Sequence, residues 1–156
     1  MPLALALYQP DIAQNTGTLL RLGACLGIAI HIIHPTGFPF SRATLKRSGM
    51  DYLDQVEMVE HDSYQAFDGW RREAGHRLML LTTKASTPHT SAHYAPSDIL
   101  MVGRESAGVP EDVAENADLR LRIPMRTGAR SLNVAISASI VLGEALRQTG
   151  GFDSLS

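Results

Sequence analysis

A single cysteine, Cys25, in 156 residues leaves no intrachain disulfide to staple the fold and fits a reducing compartment. Excess charge of one sign is missing too: 14 Lys and Arg stand against 16 Asp and Glu, for a formal net charge of -2. That balance argues against a non-specific nucleic-acid binder held by bulk positive charge. No apolar run approaches the ~20 residues that span a bilayer, and the first residues lack the basic-then-apolar order of a signal peptide. The expected location is the cytoplasm, with no membrane partner. No strand-like run leads into G-x-G-x-x-G, which disfavours a Rossmann-type site. His89 and His93 are four residues apart, yet Pro88 and Pro96 place them in a loop and no third ligand is near, so exposed histidines and no metal are expected. Ser106 lies in Glu-Ser-Ala-Gly instead of Gly-x-Ser-x-Gly, which removes the simplest hydrolase reading.

What is present is ordinary for one globular domain: 44% hydrophobic and 19% charged residues, enough to bury a single core over residues 1–156. Leu3 to Tyr8 is an apolar run bounded by Pro10 and reads as a buried strand. Asn15 is placed to cap a helix through Leu19, Leu22 and Leu26 that stops at Gly27, with Cys25 as a core residue. Further strands are expected at Ala29–Ile33, Gln55–Val59, Arg77–Thr82, Ile99–Gly103 and Leu119–Ile123. Between them fall a basic helix from Ser41 to Ser48 ended by Gly49, a helix capped by Asp62 or Ser63 and stopped at Gly75, and a helical turn from Pro110 to Asn116. Alternation of strand and helix predicts an α/β fold, a mostly parallel sheet flanked by helices. Ser86 to Ser97 is the longest stretch without periodicity.

The last helix, from about Leu132 to Gln148, is apolar on two faces: Leu132, Ile136, Ile140 and Gly143 on one, Val134, Ala138, Val141 and Ala145 on the other. Such a helix is either internal to one core or shared with a second subunit. Ala135, Ala138 and Ser139 would admit a close second helix. Arginine and lysine cluster at Arg42, Lys46 and Arg47, at Arg71, Arg72 and Arg77, and from Arg120 through Arg122 and Arg126 to Arg130. Singly each cluster reads as a solvated face. Brought beside one pocket by two subunits, they could hold an RNA stem.

Three segments carry chemistry. Asn15-Thr16-Gly17 is followed by Arg21; Val102 to Pro110 reads VGRESAGVP; Ile123 to Ile140 reads IPMRTGARSLNVAISASI. The last runs from a strand end through a glycine turn into a Ser-Leu-Asn step that opens a helix. Open α/β folds put ligands at such strand ends. In this order the three segments resemble the signature motifs of SPOUT-class RNA methyltransferases, and in particular the short, single-domain tRNA (cytidine/uridine-34-2'-O)-methyltransferases. The resemblance covers nearly the whole chain. Relatives often have Gly-Pro-Glu where this chain has Gly103-Arg104-Glu105, and Ser-Met-Asn-Leu where it has Ser131-Leu132-Asn133-Val134.

The resemblance implies a C-terminal trefoil knot, S-adenosylmethionine as methyl donor without a metal, a homodimer through the C-terminal helix, tRNA as partner, and the ribose 2'-hydroxyl of a wobble nucleotide as acceptor. Another RNA site (tRNA position 32 or ribosomal RNA) and a non-catalytic RNA-binding dimer of the same fold are the alternatives. Carried over by likeness, Leu81, Gly103, Ile123 and Ser131, with Leu132 a weaker fifth, contact the donor. Gly103 and Gly108 are expected to let the ligand approach the backbone. Arg21, Glu105 and Asn133 are the catalytic set. Arg21 acts either as general base or, better suited to a guanidinium whose pKa exceeds ~12, as a clamp on phosphate and developing alkoxide. Glu105 is expected to hold Arg21 in one rotamer, and Asn133 to fix the loop over the donor. For Asn15, a pure helix cap and a part in orienting that loop stay open.

Overall fold

The computed structural model describes residues 3–47 and 51–156. Seven strands, β1 (Ala4–Tyr8), β2 (Ala29–Ile33), β3 (Met58–His61), β4 (Leu78–Leu81), β5 (Thr87–Pro88), β6 (Ile99–Val102) and β7 (Leu119–Arg122), form one sheet in the order β3-β2-β1-β6-β4-β7-β5. Every neighbouring pair is parallel. The helices are α1 (Ala13–Leu26), α2 (Arg42–Arg47), α3 (Tyr64–Ala74), α4 (Glu111–Asn116) and α5 (Val134–Thr149).

Both sheet faces are covered, which is why the central strands are apolar at consecutive positions. Leu3, Leu5 and Leu7 pack with Leu19, Leu20, Ala138 and Val141 on the face of α1 and α5, while Ala4, Ala6 and Tyr8 pack with Tyr64, Phe67 and Val113 on the face of α3 and α4. Gly27 and Gly75 end α1 and α3 in the left-handed region at φ 68 and 80, as their positions predict. Ser63, not Asp62, caps α3 by accepting from the Ala66 N–H.

Several expectations are corrected. The third strand begins at Met58 instead of Gln55, because the Gln55 N–H closes a turn on the Tyr52 carbonyl and Val56 reaches the core from that turn. The stretch from Ser86 is not structureless: β5 pairs with β7 and a 3-10 turn spans His89–Ser91, burying His89 while His93 stays exposed. Cys25 is exposed and lies outside the core. The expected helix end at Ser48 and Gly49 falls outside the described residues.

Within the cluster at Arg71, Arg72 and Arg77 only Arg72 lies open to solvent, while Arg71 is buried and Arg77 half-buried. Arg71 is 2% exposed and donates to Asp68 and Asp118 at 2.8 Å each and to the His76 carbonyl at 3.2 Å. Asp118, itself exposed, also accepts the Leu78 N–H, so the buried Arg71 guanidinium and this carboxylate tie α3 to the start of β4. Arg72 pairs with Asp68 and Arg77 with Asp98. A buried charge is tolerated only when paired in this way.

Candidate active site

Register brings the carboxyl ends of β6, β4 and β7 level: Leu81 pairs with Val102 on one side and Leu121 on the other. The residues that follow these strands wall a cavity of about 930 Å³. Leu81, Gly103, Ile123, Ser131 and Leu132, the five expected donor contacts, all line it, as do Glu105 and Asn133. Arg21 is not part of its wall.

The loop after β6 is held by a two-way backbone pair, Arg104 N–H to the Gly108 carbonyl at 3.1 Å and Gly108 N–H to the Arg104 carbonyl at 2.8 Å. Gly108 takes φ 65, which a glycine adopts without strain. At Gly103 a Cβ would sit 2.7 Å from the Gly108 carbonyl carbon, so the closure of this loop on itself is enough to require glycine there. Arg104 adds a donor from Nε to the Gly108 carbonyl and lies 5.6 Å over the Tyr8 ring.

Asn133 is the N-cap of α5, which therefore starts at Val134 and not Leu132. Its Oδ1 accepts from the Ala135 and Ile136 amides at 2.8 and 3.3 Å, and its Nδ2 donates to Asn15 Oδ1 at 3.0 Å. Asn15 is not a helix cap: Ile12 stands at that position without a side-chain cap, and Asn15 lies in the first turn facing Asn133. The first and third motifs are thereby joined at the cavity edge.

Glu105 does not hold Arg21. Its Oε2 accepts the Asp11 N–H, and its own N–H donates to Asp11 Oδ1, both at 3.1 Å; Ser106 Oγ donates to Asp11 Oδ2. The hydrogen bond with Glu105 holds the Asp11 carboxyl below its ordinary range, while burial and then Asp11 push Glu105 above its own. Arg21 is exposed on α1, with its guanidinium 4.5 Å over the Tyr52 ring. Asp11 and Tyr52 escaped sequence reasoning, since neither stands in a motif and both act on partners far along the chain. Arg122, Arg126 and Arg130 line a second recess of about 300 Å³ beside the main cavity, with Thr83, Arg122, Ile123 and Met125 lining both. Among the described residues no group of three or more His, Cys, Asp or Glu could hold a metal ion.

α5 resolves the two-faced helix in part. Ala138, Val141 and Ala145 are fully buried in the chain's own core, where α1 is the close neighbour, so Ala135 and Ala138 admit a helix of the same subunit. Ile136 and Ile140 are 51% and 41% exposed, and Leu132 and Ile12 are exposed as well.

Known proteins share this arrangement. The chain is 60% identical over 146 residues, 94% of its length and 91% of the relative's, to the tRNA (cytidine(34)-2'-O)-methyltransferase of Beijerinckia indica subsp. indica. A structure solved for insight into the 2-OH methylation of C/U34 on tRNA matches with a TM-score of 0.87 at 39% identity, covering 94% of this chain and 95% of that one. The AdoMet-bound rRNA methyltransferase of Sinorhizobium meliloti matches with a TM-score of 0.83 at 29% identity, covering 99% of this chain and 57% of that one. Residues 2–143 match the model of the SpoU rRNA Methylase family, and the chain belongs to that family.

Proposed function

We propose that this protein transfers a methyl group from S-adenosylmethionine to the ribose 2'-hydroxyl of the wobble nucleotide of a tRNA, C34 or U34. The observation that carries the reading is the convergence of three distant motifs on one cavity at the ends of β4, β6 and β7. It is supported by the relative named for that reaction at 60% identity over nearly the full chain.

The cavity suits the donor. Its volume falls within the range of small-molecule sites, and its walls set apolar Leu81, Ile123 and Leu132 beside Gly103, Gly108 and the polar Thr82, Ser131 and Asn133, a mix of apolar surface and a few polar groups that suits a purine. In this reading Leu81, Ile123 and Leu132 hold the adenine faces, and Gly103 and Ser131 supply backbone and hydroxyl contacts. The donor would bring an activated sulfonium methyl: the carbon–oxygen bond would form as the carbon–sulfur bond breaks, the sulfur leaving as a neutral thioether and the hydroxyl proton passing to solvent water. The chain's own work is alignment, which is worth several orders of magnitude in rate. Asn133, held by Asn15, fixes the segment that closes over the donor, and Glu105 shapes the rim. Arg21, outside the wall, meets the RNA from the solvent side and holds its phosphate and the developing alkoxide. Arg122, Arg126 and Arg130 extend the positive rim for the RNA backbone.

The reading extends to three features of the whole molecule. The chain forms one methyltransferase domain over residues 1–156 and works in the cytoplasm, where its substrate is. It includes the trefoil knot that the likeness to SPOUT-class enzymes implies, a reading supported by the return of α5, which follows β7, past β4 to β6 and α1. It pairs as a homodimer through the open face of α5, where Ile136 and Ile140 leave an apolar stripe.

The deciding experiment gives the purified protein labelled S-adenosylmethionine and unmodified tRNA, then maps ribose methylation. A single new methyl at position 34 is expected. Methylation at position 32 or only of ribosomal RNA would move the substrate, and RNA binding without transfer would overturn the enzyme.

A further inference from the structure

We infer that Asp11 is a positioning residue for methyl transfer, locking the cavity loop after β6 to the loop between β2 and α2. The inference rests on the methyl-transfer reading of the site. Asp11 lies just beyond β1, after Gln9, which turns the chain at φ 43 with its N–H on the Ile33 carbonyl at 2.9 Å. On one side Asp11 is clasped to the loop after β6. Its carboxylate accepts from the Glu105 N–H and the Ser106 hydroxyl, and its own N–H donates to the Glu105 carboxyl.

On the other side the loop between β2 and α2 closes against it. The Gly37 N–H donates to the Pro10 carbonyl at 2.9 Å, and a Cβ on Gly37 would sit 2.6 Å from Asp11 Cβ and 2.9 Å from its Cα. Only glycine allows that approach. Asp11 then leads directly into α1, which sets Asn15 on Asn133 and Arg21 over Tyr52. Asp11 thus stands where the exits of β1, β2 and β6 meet, its carboxylate tied to the last and its Cα and Cβ against Gly37 of the second. Ile12 and Glu105 line the cavity while Asp11 does not, so it acts through its neighbours. Transfer between two bound molecules is sensitive to such a brace, since a displacement of ~1 Å can cost about a hundredfold in rate.

The test compares wild type with Asp11→Ala, Asp11→Asn, Gly37→Ala and Ser106→Ala. It uses single-turnover transfer to unmodified tRNA at saturating donor, with donor affinity by calorimetry and melting temperature in parallel. Asp11→Ala is expected to slow transfer roughly ten- to a hundredfold, with donor affinity changing far less. Asp11→Asn, which keeps an acceptor for the Glu105 amide, should restore most of the rate. Gly37→Ala should reproduce the loss with the carboxylate intact, and the double Asp11→Ala/Gly37→Ala variant should be no slower than the slower single, because both break one brace. A wild-type rate in folded Asp11→Ala, or a loss accounted for wholly by donor affinity, would overturn the inference. If Asp11→Ala fails to fold, the exposed truncation Ser106→Ala decides, with a smaller loss of rate expected and an unchanged rate counting against it. Wild type that transfers no methyl at all would overturn the functional reading and this inference together, whereas wild-type transfer unaltered in the variants overturns the inference alone.

Discussion

Asn133 donates its side-chain amide to Asn15 Oδ1 at 3.0 Å across a separation of 118 residues, while its carbonyl oxygen caps α5. The two halves of one side chain therefore do different work, and two substitutions separate them. Asn133→Asp keeps the capping oxygen and adds a favourable charge at a helix N-terminus, so its melting temperature should equal or exceed wild type. It loses the donor to Asn15, and single-turnover transfer should fall although the fold is intact. Asn133→Ala loses both functions and should cost about 1 kcal/mol of stability in urea denaturation as well.

His31 gives a pH dependence with a definite sign. It is 4% exposed, with its Nδ1 2.8 Å from His61 Nε2 and its ring 4.9 Å from Trp70. Burial first, then the neighbouring His61 and His76, push it down to about 4. His61 is lowered as well, by its own burial, with Asp62 opposing. A histidine with a depressed folded pKa stabilises the fold above its ordinary value of 6.5 and gives that stability up as pH falls toward about 4. The share from His31 is roughly 3 kcal/mol. Urea unfolding between neutral and mildly acid pH should show the slope. His31→Phe should be less stable at neutral pH, having orphaned His61, yet lose less on acidification.

The strands and helices were legible wherever local pattern decides them. The unbroken run Leu3 to Tyr8 reads as a doubly covered strand because it is one. The order of the sheet was not legible, since nothing near Ile99 announces that β6 inserts between β1 and β4. Leu81, Gly103, Ile123, Ser131 and Leu132 were carried over by likeness, and the register of β4, β6 and β7 collects them around one cavity. Asp11 was missed because its carboxyl answers to Glu105 and Ser106, 94 and 95 residues away. For Asn15 the residue type left a helix cap and a part in orienting the loop both open, and only the distant partner Asn133 rules out the cap. Glu105 was expected on Arg21, and its tertiary partner Asp11 overrides that expectation.

Arg21 separates donor binding from catalysis. Its guanidinium lies over Tyr52 and outside the cavity wall, so Arg21→Ala should leave donor affinity nearly unchanged. Transfer to unmodified tRNA should fall on the order of a hundred- to a thousandfold if it faces the developing charge. Arg21→Lys should rescue little, because an ammonium cannot reproduce the planar fork. Tyr52→Leu, which frees the rotamer without removing the charge, should show a smaller loss. Near-wild-type transfer by the alanine variant would return Arg21 to the solvated surface.

The two faces of α5 make opposite predictions for the same kind of substitution. Ala138 is fully buried in the subunit's own core, so Ala138→Arg buries an unpaired charge and should unfold the protein or cost several kcal/mol, roughly 3 or more, whatever the oligomeric state. Ile136 and Ile140, at 51% and 41% exposure, cost little to replace in an isolated chain. If the apolar stripe is a subunit interface, Ile136→Asp and Ile140→Asp should each yield folded monomers by light scattering, with the melting temperature depending on protein concentration in wild type and no longer in the variants. Methyl transfer should fall with dimer content if RNA is held between subunits. A dimer that survives both substitutions would place the interface elsewhere and leave the stripe of α5 as plain solvent-facing surface.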